Sequence, residues 1–312
     1  MQPIIKVTDL SKHFKEIGAV NGLSFTVEQG DVYGFLGQNG AGKSTTIRML
    51  LTLLEPTHGK IELFGMDLKS HRKEILRQVG AVIEKPDVYK YLTAYENLLL
   101  FSKISGGPKL TKSKLLEQLE LVGLQERAHS KVKTYSQGMK QRLGVAIALV
   151  NDPQLIILDE PTNGLDPQGI ADIRNLILHL SHTLKKTIMV SSHLLSEIEL
   201  IANRLLIIDS GKKMVEGNAT ELFDPSHTVI ELDTLNNKQS LAILQQSEWY
   251  SFIQPSRGGT IILKMNRQQI PTFHQALAAL NIPVLSLQPR RSLEDYFLQI
   301  TTGKQHVEAF KD

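Results

Sequence analysis

The eight residues Gly37-Gln38-Asn39-Gly40-Ala41-Gly42-Lys43-Ser44 constrain the fold of this chain more than any other stretch. A glycine, four residues and then Gly-Lys-Ser is the spacing of a loop whose backbone N–H groups surround a polyphosphate, with the lysine reaching the β- and γ-phosphates and the serine ligating Mg²⁺. Residues 31–36 read as a strand entering the loop and residues 45–50 as a helix leaving it, which would put the anion at a helix N-terminus. The sequence therefore predicts a nucleotide-binding loop, and the residues that we expect to form it are Gly37, Asn39, Gly40, Ala41, Gly42, Lys43, Ser44 and Thr45.

The composition is that of an ordinary globular protein. The chain has 312 residues, of which 41% are hydrophobic and 21% charged, and this length favours about two domains. Its 35 basic and 32 acidic side chains nearly cancel to a net charge of +3, so bulk electrostatics gives no reason to expect a nucleic-acid partner. Cysteine is absent, which excludes disulfides, thiolate metal sites and a thiol nucleophile.

Neither a secretory signal nor a membrane-spanning helix is expected. The N-terminus has no basic segment followed by a long apolar one. The longest apolar runs, 143–150 and 155–158, are far shorter than the roughly 18 residues needed to span a bilayer. We interpret both runs as core.

Two acids follow a short apolar run at Leu155-Ile156-Ile157-Leu158-Asp159-Glu160. This pattern predicts a fully buried strand that delivers carboxylates at its C-terminal edge, where open α/β sheets bind ligands. Beside a phosphate loop, Asp159 is suited to hold Mg²⁺ and Glu160 to accept a proton from an attacking water.

Three further positions each allow two interpretations from the residues alone. Phe14 could stack on a purine or belong to the core. Ser136 and Gly138 open a long helix, where they could bind an anion or simply cap the helix. His193 follows the predicted strand at 187–190, so it lies either at the ligand edge of the sheet or in solvent.

Taken in order, these motifs resemble those of the ATPase subunit of an ABC transporter over residues 4–223. The set comprises a Walker A loop, a signature motif, a Walker B strand with its following glutamate, a D-loop, a switch histidine and an aromatic A-loop position; in this chain they stand at 37–45, 136–139, 155–160, 164–167, His193 and Phe14. The resemblance implies an α/β P-loop ATPase with a strand-rich N-terminal subdomain and a helical insertion at about 86–150.

The resemblance also implies a mechanism. Two such subunits would meet head to tail, each ATP lying between the Walker A loop of one and Ser136 and Gly138 of the other. Phe14 would stack on adenine, and Asp166 would link the two sites across the dimer. Glu160 would be the general base, while His193 would contact the γ-phosphate and the attacking water. The implied cofactors are ATP and Mg²⁺.

This chain departs from the usual family pattern at two motifs. Its signature reads Gln137-Gly138-Met139 in place of Gly-Gly-Gln. Glu84 stands where the family normally has the Q-loop glutamine; it can still coordinate Mg²⁺ with Ser44 and Asp159, but it adds a negative charge near the γ-phosphate. Residues 83–86 and 91–98 resemble the branch that contains bacitracin-resistance and lantibiotic-immunity exporters.

A second, smaller domain is expected after residue 224. Residues 225–302 read in the order βαββαβ, with strands at 228–232, 250–254, 260–265 and 284–287, and this order predicts a ferredoxin-like α+β domain. Residues 292–298 resemble the end segment of drug-resistance ABC ATPases, and residues 303–312 are expected to form a frayed tail.

We therefore expect the ATP-hydrolysing subunit of a transporter, peripheral at the cytoplasmic face of the membrane and dimeric with itself or with a second ATPase. Its partner would be a separate integral membrane permease, with export of an antibiotic, peptide or lipid-like cargo favoured over import. The surface at Val88, Tyr89 and Tyr91 is our hypothesis for the groove that receives the permease.

Two other classes compete with this interpretation. A soluble ABC ATPase acting on ribosomes or DNA is disfavoured because the chain has one cassette, no long coiled coil and little net charge. A GTPase switch is disfavoured because no Asn-Lys-x-Asp motif is present; the nearest match, 237–240, lacks the acid.

Overall fold

A computed structural model describes residues 3–106, 110–222, 228–254 and 259–290 of the chain. The chain divides into two compact units, Met1–Ala219 and Thr220–Asp312. The sequence placed this boundary at residue 224, in a stretch outside the described residues, as are the segments 292–298 and 303–312.

An antiparallel sheet opens the first unit. Its strand order is β2-β1-β4-β5, with β1 at Pro3–Phe14, β2 at Ile17–Glu28, β4 at His58–Leu63 and β5 at Met66–Asp67. Leu23, Phe25 and Val27 are buried on β2 while the residues between them are partly exposed, as the alternating pattern predicts. The strand-rich N-terminal region expected from the sequence is confirmed.

A six-stranded sheet forms the centre of the first unit. Its order is β10-β9-β3-β8-β7-β6, parallel except for the β9–β10 hairpin. The strands are β3 (Val32–Leu36), β6 (Val79–Val82), β7 (Leu155–Asp159), β8 (Thr187–Ser192), β9 (Arg204–Asp209) and β10 (Lys212–Asn218).

The register of this sheet determines where the functional side chains lie. Leu36 of β3 pairs with Ser192 of β8, and Asp159 of β7 pairs with Ser191 of β8. The carboxyl ends of β3, β8 and β7 are thus neighbours at one edge. Every residue of these three strands is buried, which is why they read as continuous apolar runs.

Helices connect and cover the strands of the first unit. The helical insertion predicted between β6 and β7 is confirmed: it contains three helices, and the third packs on the other two. No helix of the described ranges is long and apolar enough to cross a membrane. The helices are α1 (Lys43–Leu50), α2 (Arg72–Leu76), α3 (Ala94–Ile104), α4 (Lys112–Leu121), α5 (Gln137–Ala148), α6 (Pro167–His182) and α7 (Leu195–Glu199); α8 (Ala219–Leu222) begins at the last residue of this unit.

The second unit has the predicted βαββαβ order. Its antiparallel sheet runs β12-β13-β11-β14, the arrangement of a ferredoxin-like domain, and two helices cover the sheet, the first through Leu244 and the second through Phe273 and Leu277. The elements are β11 (Thr228–Thr234), α9 (Asn237–Gln245), β12 (Ile253–Gln254), β13 (Ile261–Met265), α10 (Ile270–Ala279) and β14 (Val284–Arg290).

One predicted strand of this unit is mostly wrong. Residues 250–252 belong to a 3₁₀ helix, Glu248–Phe252, and only Ile253 and Gln254 pair as a strand. Ser247 caps the turn by accepting a hydrogen bond from the N–H of Trp249, whose ring is buried against Phe273. Burial of the large indole therefore outweighs the strand preference of the aromatic residues around it.

Candidate functional site

The Gly-rich loop lies between β3 and α1 and depends on glycine geometry. Gly40 and Gly42 have φ values of 84° and 105°, which side chains rarely adopt. A Cβ atom on Gly42 would lie 2.6 Å from the carbonyl oxygen of Ala19. Gly42 also begins α1 without any side-chain cap, so the first N–H groups of α1 are left for another acceptor. This is the arrangement that binds a phosphate.

Lys43 closes the loop with a buried ammonium group. Its side chain is only 5% exposed, and Nζ donates to the carbonyl oxygens of Gly37 at 2.6 Å and Gln38 at 3.2 Å. The same nitrogen lies 3.0 Å from Oε1 of Glu160. The ammonium is therefore held in the mouth of the loop by groups that a polyphosphate could replace.

The two acids at the end of β7 have different surroundings. Asp159 is almost fully buried; Oδ1 accepts a 2.6 Å hydrogen bond from Ser191, while Oδ2 is buried without a partner in the described part of the chain. A carboxylate oxygen left unpaired in the interior is costly unless a cation or an ordered water meets it. Asp159 thus fits the role of a Mg²⁺ ligand, direct or through water.

Glu160 joins the loop to His193. Its backbone has a φ of 50°, and its N–H donates to Oγ of Ser191 at 2.8 Å. Oε2 lies 2.6 Å from Nδ1 of His193, while Oε1 contacts Lys43. The structure therefore brings Lys43, Glu160 and His193 from three elements into one cluster, and His193 lies at the ligand edge of the sheet.

Two hydroxyl groups that sequence reasoning missed organise this edge. Ser191 donates to Asp159 and accepts from the N–H of Glu160. Ser192 donates to Glu197, which also accepts a 2.7 Å hydrogen bond from Thr162, so the turn after β7 is tied to the segment after β8. The signal available was Ser-Ser-His at the end of a buried strand, since polar residues there must find partners.

Four predicted site residues lie apart from this cluster. In the described ranges no hydrogen bond or ion pair joins them to Lys43, Glu160 or His193. Phe14 ends β1 with 46% of its surface exposed, so it is not a core residue. Ser136 caps α5 by accepting from the N–H of Met139, Gly138 lies in the first turn of that helix, and Asp166 caps α6 by accepting from the N–H of Gly169.

The approach to the α5 N-terminus is rigidly held. Tyr135 precedes the cap residue Ser136 and is buried, and its hydroxyl donates to the carbonyl oxygen of Arg127 at 2.6 Å. Burial raises the pKa of the Tyr135 phenol, so the hydroxyl stays a donor at neutral pH. This contact holds in place the residue that precedes the N-cap of α5.

Glu84 and the proposed permease surface follow β6. Glu84 has a φ of 55° and its exposed carboxylate pairs with Nη2 of Arg48 at 2.5 Å. Tyr89 and Tyr91 are 55% and 80% exposed, as a docking surface requires, whereas Val88 is buried and is removed from that hypothesis. The backbone of Tyr89 exchanges two hydrogen bonds with the buried Asn97 side chain, which fixes this segment on α3.

Comparisons with known proteins show the family of this chain. The ABC transporter family profile matches residues 20–163. The bacitracin transport ATP-binding protein BcrA of Bacillus licheniformis is 42% identical over 97% of this chain and 99% of its own length. The lantibiotic transport ATP-binding protein SrtF of Streptococcus pyogenes is 39% identical over 73% of this chain and 95% of its own.

A solved structure shows the same fold. CbiO1 from Clostridium perfringens, part of the ABC transporter complex cbiONQ, superposes with a TM-score of 0.64 at 26% identity, covering 72% of this chain and 91% of that one.

Proposed function

The chain belongs to the ATP-binding subunits of ABC transporters, and we propose that it hydrolyses ATP to drive a separately encoded membrane permease that exports an antibiotic or peptide-like cargo. The observation that carries the chemistry is the cluster of Lys43, Glu160 and His193 beside the buried carboxylate of Asp159. The choice of export and cargo rests on relatives that are named for bacitracin and lantibiotic transport.

Nucleotide binding would begin at the loop. The free N–H groups at the start of α1 and the ammonium of Lys43 receive the phosphates, and Phe14 stacks on adenine. Ser44, Asp159 and Glu84 are the residues that would hold Mg²⁺, and the ion would supply positive charge against the bound phosphates. The unpaired Oδ2 of Asp159 supports this assignment.

Binding would also release the general base. Oε1 of Glu160 lies 3.0 Å from Nζ of Lys43. A triphosphate offers the ammonium a stronger anionic partner, so Oε1 becomes free to accept a proton from water. Oε2 stays on His193, which keeps the carboxylate in place.

A second subunit would complete the site. The N-terminus of α5, at Ser136 and Gly138, carries backbone N–H groups that can bind an anion. These N–H groups would face the γ-phosphate of the ATP that the partner subunit binds. Asp166, at the start of α6, would contact the opposite site. The proposed assembly is a head-to-tail dimer, with itself or with a related ATPase, at the inner face of the membrane.

The test of this function is the Glu160→Gln variant. We expect it to bind ATP with near-normal affinity while turnover falls at least about 100-fold, since the amide cannot accept the proton. ATP should then hold the variant as a dimer in size-exclusion chromatography. Glu62→Gln, which removes a partly buried carboxylate on β4 far along the chain from Glu160, is the matched control and should behave as wild type. Substantial hydrolysis by Glu160→Gln would contradict the assigned role.

A further inference from the structure

Arg48 and Glu84 form an ion pair between the helix that follows the phosphate loop and the loop that follows β6. Glu84 is the residue at which this chain carries an acid in place of an amide. The guanidinium lies against its carboxylate at 2.5 Å, although the two side chains remain 46% and 61% exposed. The pair is therefore accessible to solvent, and burial does not hold either side chain in place.

The position of Arg48 places this pair beside the nucleotide site. Ser44 and Arg48 are four residues apart on α1, so they share one face of the helix about one turn apart. Side chains on a helix lean toward its N-terminus, which directs the guanidinium toward Ser44. The backbone of Arg48 is fixed because its carbonyl oxygen accepts hydrogen bonds from the N–H groups of Leu53 and Leu54.

Other cations do not take the place of Arg48. Arg72, from the neighbouring α2, donates to the hydroxyl of Thr52. Lys85 is exposed and makes no hydrogen bond or ion pair in the described part of the chain. Arg48 is therefore the cation that pairs with the Glu84 carboxylate.

We propose that Arg48 is a positioning residue that neutralises Glu84, and that it competes with nucleotide-bound Mg²⁺ for the Glu84 carboxylate. This inference rests on the proposed nucleotide site. Without metal, an unpaired carboxylate would repel the polyphosphate, and Arg48 suppresses that repulsion. When Mg²⁺ is bound, the Glu84 carboxylate pairs with the metal instead, so loss of Arg48 lowers ATP affinity little. Arg48 therefore sets how strongly ATP affinity depends on Mg²⁺.

The experiment measures the equilibrium affinity of a fluorescent ATP analogue by anisotropy, with EDTA and then with excess Mg²⁺, at an ionic strength of about 0.02 M. We expect Arg48→Gln to bind two- to fivefold more weakly than wild type in EDTA, the size expected for an exposed charge pair. With Mg²⁺ the deficit should vanish or reverse. The double variant Arg48→Gln/Glu84→Gln should regain the wild-type affinity in EDTA, and Arg48→Lys should keep it.

Two controls separate an electrostatic role from a structural one. Lys60→Gln removes a cation from another exposed ion pair and should change neither affinity. Raising the ionic strength to about 0.5 M should erase the deficit of Arg48→Gln, because salt screens exposed charges. A deficit that persists in salt, or a double variant as weak as Arg48→Gln, would overturn the proposal. Failure of the wild type to bind the analogue in either condition would instead overturn the nucleotide site itself.

Discussion

At the scale of single residues, Ser191 is the least expected part of the site. Its buried hydroxyl bridges the carboxylate of Asp159 and the backbone N–H of Glu160. It thereby fixes the spacing between the proposed metal ligand and the proposed general base. Among the described residues, no other side chain of β8 donates a hydrogen bond to Asp159 or Glu160.

Replacing Ser191 by alanine should lower both stability and turnover. The change leaves two buried polar groups unpaired, and we expect the free energy of unfolding in urea to fall by about 1–3 kcal/mol. Turnover should fall more than ATP affinity, because the backbone N–H of Glu160 loses its acceptor while the hydrogen bonds of Lys43 are unchanged. Ser181→Ala, at a buried serine of α6 whose side chain has no hydrogen bond in the described ranges, is the control and should be nearly neutral. Equal stability of the two variants would contradict the bridging role.

The sequence predicted some of these residues and not others for a physical reason. Lys43 follows from loop spacing, and Asp159 and Glu160 follow from the end of a buried strand. The roles of Ser191 and Arg48 depend instead on the lateral register of β7 and β8 and on the loop after β6. Such contacts between distant segments leave no local pattern in a single sequence.

At the scale of elements, the phosphate loop shows that two glycines can be required for different reasons. Gly40 and Gly42 both have positive φ, but a Cβ on Gly40 meets no atom within 4 Å, whereas one on Gly42 meets the backbone of Ala19. The first glycine therefore supplies only backbone freedom. The second also allows the close packing of α1 on β2.

Alanine at these two positions should separate the two effects. Gly40→Ala should cost about 1–2 kcal/mol of unfolding free energy without nucleotide, the strain of a left-handed alanine. Gly42→Ala should cost about 3–5 kcal/mol, because backbone overlap adds to the strain. Thermal or urea unfolding of both variants measures the difference, and similar losses would show that the contact with Ala19 is readily relieved.

Element prediction succeeded where the pattern was strong and local. The buried strands β3, β7 and β8 were all predicted, since their continuous apolar runs have a single good solution. The segment at 250–252 was not, because Trp249 is drawn into the core of the second unit by contacts far along the chain. Tertiary packing decided that element.

At the scale of the whole molecule, hydrolysis has to be communicated to a partner. The exposed rings of Tyr89 and Tyr91 follow the loop that carries Glu84, so this surface lies close in sequence to the nucleotide site. Their segment is fixed on α3 through Asn97. Such a surface is suited to pass movement of the loop on to a bound helix.

Changing both Tyr89 and Tyr91 to alanine should uncouple the two activities. ATP hydrolysis by the isolated subunit should stay within about twofold of wild type, since neither ring touches the catalytic cluster, while cargo resistance or export in cells should be lost. Tyr250→Ala, at an exposed tyrosine of the second unit, serves as the matched control. Unchanged transport by the double variant would eliminate this surface as the permease contact.

We propose that this ATPase acts on a separate membrane permease, and copurification from native membranes tests this directly. Tagged Glu160→Gln protein is expressed in its native cell, membranes are solubilised gently with ATP present, and the copurifying proteins are identified. We expect a protein with several membrane spans and no ATPase of its own, recovered in a fixed ratio to the tagged subunit. Recovery only in the soluble fraction, alone or with ribosomes, would contradict it.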